Sequence, residues 1–157
     1  MIKIISNSVK QTLKIGRRIA RDLRGSDIIC LFGQLGSGKT VLTKGIAGGL
    51  RMDKRRIISP SFVLIRQYNQ GKLPLYHFDL YRIKAARDIL ALGYEEYLYG
   101  NGVTVIEWAD RLEYLLPPEF LKIQLFIKGD KQRLLRFTAF GERYKELLDK
   151  IHENIRH

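Results

Sequence analysis

Cysteine occurs once in this 157-residue chain, at Cys30, so no intramolecular disulfide can brace the fold. A lone thiol inside an apolar run suits a reducing compartment. No apolar run approaches the roughly 20 residues that a membrane-crossing helix needs. The opening residues interleave Lys3, Ser6 and Asn7 with apolar neighbours and lack the apolar core of a secretory signal. Low-complexity tracts, internal repeats and linker-like stretches are lacking too. The expectation is a soluble, cytoplasmic protein without membrane contact, folded as a single domain over residues 1–157. Its 45% apolar content suffices to fill one core.

Negative charge is scarce at one end. Residues 1–60 carry 13 Lys and Arg against 3 Asp and Glu, a balance of +10; residues 61–157 carry 15 against 13, or +2, giving +12 in all. Much of the excess falls on one predicted helix. There Lys10, Lys14, Arg17, Arg21 and Arg24 recur at helical spacing beside an apolar stripe of Val9, Leu13, Gly16, Ala20 and Leu23. Such a stripe reads either as a docking face for nucleic acid or an acidic partner, or as a solvated helix face.

The chemistry concentrates in Gly33-Gln-Leu-Gly-Ser-Gly-Lys39-Thr40, which fills the G-x-x-x-x-G-K-[ST] pattern of a phosphate-binding P-loop. The apolar run 27–32 before it reads as a buried parallel strand. The stretch 40–50 after it reads as a helix with Val41, Leu42, Ile46 and Leu50 on one face. Glycines let the backbone close around phosphate oxygens, and the helix dipole adds positive potential there. Lys39 would contact the β- and γ-phosphates, and the Thr40 hydroxyl would ligate Mg²⁺. Gly33, Leu35, Gly36, Ser37, Gly38, Lys39 and Thr40 are therefore the expected nucleotide contacts.

Around this loop the sequence predicts a strand at 2–5 and a helix to about residue 23, capped by Asn7 or Ser8. Residues 51–56 form a charged connection too polar for the core. Strands are expected at 62–68 and 73–79 around a tight turn at 69–71. A short helix at 85–92 stops at Gly93, a further turn follows at 95–99, and 103–106 is a buried strand. Pro117-Pro118 ends the helix before it. Residues 120–127 and 134–140 make a hairpin across Gly129-Asp130. The closing helix, 142–155, turns Tyr144, Leu147, Leu148 and Ile151 inward. The pattern is an α/β, three-layer P-loop NTPase sandwich with a mixed, mainly parallel sheet.

Two carboxylates end apolar strands. Val103-Thr-Val-Ile-Glu107 has the Walker-B form, which brings Glu107 beside Thr40 to hold the metal directly or through water; otherwise it merely ends a strand in solvent or a salt bridge. In Leu75-Tyr-His-Phe-Asp79, alternation places His77 and Asp79 on one face. Asp79 either orients the attacking water or pairs with Arg82, and His77 reads as a hydrogen-bonded structural histidine. Ser59-Pro-Ser61-Phe62 is either a phosphate-sensing loop or a plain turn. Trp108, the only tryptophan, either stacks near the nucleotide or caps the core.

Together the P-loop, Ser59-Pro-Ser-Phe62, Tyr76-His-Phe-Asp-Leu-Tyr-Arg82 and Val105-Ile-Glu-Trp108 resemble the TsaE (YjeE) family of bacterial ATPases, over nearly the whole chain. The resemblance implies a P-loop α/β sandwich with an antiparallel element, ATP and Mg²⁺ as cofactors, and slow hydrolysis by the protein alone. It implies a part in forming N6-threonylcarbamoyladenosine at position 37 of tRNAs that read A-starting codons. TsaD and TsaB are the implied protein partners, with the transfer chemistry in TsaD. By position, Lys39 and Thr40 hold phosphate and metal, Glu107 is the second metal ligand, and Asp79 lies on the γ-phosphate side. Lys131 falls where relatives offer a basic residue to the nucleotide. One departure is visible: Ser61 stands where the family motif has Thr, keeping the hydroxyl and losing a methyl.

A small P-loop kinase is the competing enzyme class, with Arg82, Lys84 and Arg87 as its lid. A nucleotide-gated RNA-binding module is the competing non-enzyme. The guanine-reading Asn-Lys-x-Asp segment is lacking, which disfavours a GTPase.

Overall fold

The computed structural model describes residues 1–57 and 64–156. The chain runs β1 (Ile2–Ser6), α1 (Val9–Ala20), β2 (Ile28–Gly33), α2 (Lys39–Gly49), β3 (Ile65–Tyr68), β4 (Leu75–Asp79), α3 (Arg87–Leu90) and α4 (Tyr94–Leu98). It continues through β5 (Val103–Glu107), β6 (Phe120–Ile127), β7 (Arg133–Phe140) and α5 (Glu142–Arg156), with 3₁₀ turns at Lys54–Arg56 and Ala109–Leu115. One seven-stranded sheet has the order β1-β7-β6-β2-β5-β4-β3. Its centre is parallel: β6 and β5 flank β2, and β4 joins β5. Both edges are antiparallel, through β6–β7, β7–β1 and β4–β3. The expected mainly parallel sheet is therefore only partly so, because the terminal hairpin recruits β1 and adds antiparallel pairs on that side.

Alternation along the central strands sorts side chains to two faces. Ile29, Leu31, Val103, Val105 and Leu75 pack under α1, α2 and α5, whereas Ile28, Cys30, Ile106, Tyr76 and Phe78 pack under α3, α4 and the 3₁₀ turn Ala109–Leu115. Each fully buried Ile or Leu of this set contributes about 1.5–3 kcal/mol. Glu107 continues the odd-numbered series of β5 and so emerges on the α2 side.

Ser8 caps α1, its side chain accepting from Gln11 N at 3.0 Å. The inward face is Thr12, Ile15, Gly16, Ile19 and Ala20. Val9, expected in the apolar stripe, is instead 64% exposed, since Ile15 and Ile19 set the helix rotation. The α-helix ends at Ala20, and residues 21–23 continue as looser turns bonded to Arg18, Ile19 and Ala20 carbonyls. α1 lies directly on α2: a Cβ on Gly16 would sit 2.7 Å from both Ile46 N and Leu42 O. Only a hydrogen side chain permits that approach.

Other elements are shorter than expected. Of the strand expected at 62–68, residues 62 and 63 lie outside the described residues and β3 covers Ile65–Tyr68. β4 starts later than expected, and residues 69–74 join the two rather than a tight turn, with Lys72 N donating to Leu50 O at 2.7 Å. The helix expected at 85–92 is α3, four residues long. Residues 51–56 are not wholly solvent-facing, because Met52 tucks into the core at 6% exposure. At the sheet end remote from the loop, the Arg143 guanidinium grips Asp27 through both carboxylate oxygens, at 2.9 and 2.7 Å.

Candidate functional site

β2 ends in Gly33 and α2 starts at Lys39, so the glycine loop joins a strand's carboxyl end to a helix's amino end. Gly38, at the N-cap, takes φ 102°, a left-handed conformation that favours glycine. No side chain caps α2. Its first-turn N–H groups are thus available to an anion, which the helix dipole also favours. Lys39 is 5% exposed, and its ammonium donates to Gly33 O at 2.6 Å and Gln34 O at 2.9 Å. It lies 4.0 Å from the centre of the Trp108 ring. Burial pushes the Lys39 amine below its ordinary range, while Glu107, Asp79 and Asp110 pull it back up.

Register brings the carboxylates to this end. β4 and β5 pair in parallel with Asp79 opposite Glu107. Thr40 Oγ1 donates to Glu107 Oε1 at 2.7 Å. The other oxygen, Oε2, takes a hydrogen bond from Thr43 Oγ1 at 3.3 Å and meets His77 Nε2. His77 is 0% exposed and Glu107 2%, so the carboxylate is fixed from two elements in a water-poor setting. Asp79, 8% exposed, accepts from Tyr81 N at 3.1 Å.

Trp108 follows Glu107 with φ 58°, left-handed for a bulky residue. Holding it there costs about 1–3 kcal/mol. The bend carries the indole back over Lys39 and against Tyr81, ring centroids 4.9 Å apart.

Leu35, Lys39, Thr40, Asp79, Glu107 and Trp108 line a cavity of about 310 Å³. Across the loop, Val9, Thr12, Val41, Lys131 and Arg133 line another of about 400 Å³, and both cavities touch Gly36 and Gly38. Most of the expected contacts thus converge. Leu35 is 72% exposed at the rim, while Ser37 is buried with its Oγ 3.4 Å from Lys39 Nζ. Lys131 lines the second cavity rather than the one with the carboxylates. Ser61 lies outside the described residues.

The sequence reading missed Thr43, Tyr81 and Arg133. Thr43 had a usable signal: it sits three residues after Thr40, on the same helical face. Arg133 had none, since its Nη2 reaches Gly36 O, 3.1 Å away, from a distant strand.

The donors present are hard oxygens, a carboxylate and a hydroxyl, which suit Mg²⁺. Among the described residues no group of three or more His, Cys, Asp or Glu is placed to hold a metal ion. A metal at Thr40 and Glu107 would complete its shell from phosphate and water, as Mg²⁺ does with nucleotides. Gly36 takes φ 80°, and a Cβ there would meet nothing within 4 Å, so the loop leaves open space at that position. No helix among the described residues is long and apolar enough to cross a membrane.

Comparison with known proteins identifies the family. The family model described as threonylcarbamoyl adenosine biosynthesis protein TsaE matches residues 6–135. The tRNA threonylcarbamoyladenosine biosynthesis protein TsaE of Bacillus subtilis (strain 168) is 42% identical over 148 residues, covering 93% of this chain and 92% of that one. The protein of the same description from Nostoc sp. (strain PCC 7120) is 34% identical over 152 residues, covering 94% and 92%. The crystal structure of Bacillus subtilis YdiB superposes with a TM-score of 0.86 at 38% identity, covering 98% of this chain and 95% of that one. With the family model spanning most of the chain and relatives matching nearly end to end, this chain belongs to the TsaE family of threonylcarbamoyl adenosine biosynthesis proteins.

Proposed function

We propose that this chain is a Mg²⁺-dependent P-loop ATPase, slow alone, that works with TsaD and TsaB in forming N6-threonylcarbamoyladenosine on tRNA. The observation that carries the reading is the contact between Thr40 and Glu107, 2.7 Å long, in the lining of the cavity that Lys39 also lines. A hydroxyl at the start of a helix and a carboxylate at the end of a neighbouring strand form the usual protein half of a nucleotide-bound Mg²⁺ site.

In this reading each residue has a role that its position supports. Lys39 exchanges two carbonyl partners for phosphate oxygens, so a positive charge already desolvated by the fold meets the ligand. The uncapped start of α2 supplies N–H donors. Thr40 and Glu107 would hold Mg²⁺, which when bound would supply positive charge to the phosphates. Asp79, one strand away, orients the attacking water. Trp108 and Tyr81 form one wall of the cavity. The nucleoside half of ATP would lie across the loop, among Val9, Thr12, Val41 and Lys131.

Two substitutions test the division of labour. Glu107→Ala should weaken ATP binding in the presence of Mg²⁺ by tenfold or more and leave binding in EDTA unchanged. Asp79→Ala should spare binding and lose turnover. Calorimetric titration with a non-hydrolysable ATP analogue reads binding, phosphate release from ATP reads turnover, and the reverse pattern would exchange the assignments.

A further inference from the structure

The outer face of α1 presents Lys10, Lys14, Arg17 and Arg21, all exposed. At 100° per residue these cations fall within about 60° of one another, over about 16 Å of helix. Arg24 extends the row past the helix end, where it pairs with Glu146 at 3.2 Å. The acidic side chains of residues 1–52 are Asp22 and Asp27, and both turn inward, to Asn154 and to Arg143. The stretch from Lys14 to Arg21 therefore carries one sign on α1 itself, with Asp130 near its Lys10 end and Glu146 of α5 at its Arg24 end. The near end of the row, Lys10, lines the second cavity together with Lys131 and Arg133.

We propose that this face docks the phosphate backbone of RNA, running outward from the nucleotide cavity along α1. Its composition separates that partner from an acidic protein. Protein interfaces centre on aromatic and apolar anchors and are depleted in lysine, whereas nucleic-acid interfaces are polar and strongly basic. Between Lys10 and Arg21 the exposed residues are Gln11, Lys14 and Arg17, with no apolar side chain among them. Regularly spaced cations without anchors fit a repeating anion, with affinity from counterion release and little base specificity. The tRNA in the preceding reading makes RNA the relevant polyanion. The proposal rests on that reading for the kind of RNA alone.

The test is fluorescence anisotropy of the full chain against an unmodified tRNA transcript, across 50–200 mM salt. The slope of log affinity against log salt should be about −0.7 to −0.9 for each cation engaged, so about −3 for four. Each of Lys14→Ala, Arg17→Ala and Arg21→Ala should lower the slope's magnitude by about one, and the triple variant should lose tenfold or more at low salt. Lys145→Ala/Lys150→Ala on α5 is the control, with wild-type binding expected. Undetectable binding, or a triple variant that binds as wild type, overturns the proposal. So does a triple variant that keeps RNA affinity but no longer associates with TsaD and TsaB, which would make the face a protein interface. The three residues lie outside both nucleotide cavities, so ATP turnover of the isolated triple variant should stay at the wild-type value. Loss of RNA binding with turnover intact then separates this proposal from the ATPase reading.

Discussion

His77 Nε2 meets Glu107 Oε2 in a contact closed to solvent, the two side chains 0% and 2% exposed. Thr43 holds the same oxygen, so the carboxylate presents Oε1 alone to Thr40 and the cavity. Removing the histidine would leave a buried carboxylate short of a partner as well as a void. His77→Ala should therefore cost on the order of 2–4 kcal/mol in urea unfolding. His77→Gln keeps an N–H donor and should recover at least half. A cost below about 0.5 kcal/mol for the alanine variant would mean that the contact holds nothing in place.

The α1–α2 contact makes a second, independent prediction. Alanine in place of an interior helical glycine normally stabilises by up to about 1 kcal/mol. At Gly16 the new methyl would press on Ile46 N and Leu42 O at 2.7 Å, backbone atoms of α2 that cannot turn aside. The clash should outweigh the propensity gain, for a net loss of about 1–3 kcal/mol. Because α2 carries Lys39 and Thr40, nucleotide affinity should fall as well. An unchanged melting temperature would show that the helices are further apart.

Much of this site was legible in the sequence, and the limit is instructive. Gly33 to Thr40 announce themselves by spacing within one loop, and Glu107 by its place at the end of an apolar strand. What spacing could not show is which side chains hold Glu107, because Thr43, His77 and Glu107 lie on α2, β4 and β5 and meet only through sheet register. His77 was readable as a bonded histidine, though its partner was not. The same holds for the sheet. Local alternation marks each strand, but the pairing of β1 with β7 joins opposite ends of the chain. Charge patterning located the exposed row on α1, whereas the helix's buried face was misjudged where Val9 and Leu13 competed with Ile15 and Ile19.

Tyr144 predicts a dependence on alkaline pH. Burial pushes its phenol up to about 12, against a hydrogen bond from Ile28 N at 2.8 Å that acts in the opposite sense. The unfolded phenol ionises near 10. Between these values the unfolded chain has lost the proton and the folded chain keeps it, so stability falls as pH rises, by about 2 kcal/mol across the window. Unfolding free energies from pH 9 to 12 should show a steeper decline for the wild type than for Tyr144→Phe. Parallel declines would contradict the assignment.

ATP turnover of the purified chain, alone and with TsaD, TsaB and tRNA, and with Lys39→Ala as the blank, decides whether this site hydrolyses ATP in the service of tRNA modification. Slow Mg²⁺-dependent hydrolysis that rises with the added components, and is lost in the blank, is the expected result. Turnover indifferent to those components, or undiminished by Lys39→Ala, would contradict the account and direct attention to a small-molecule phosphate acceptor.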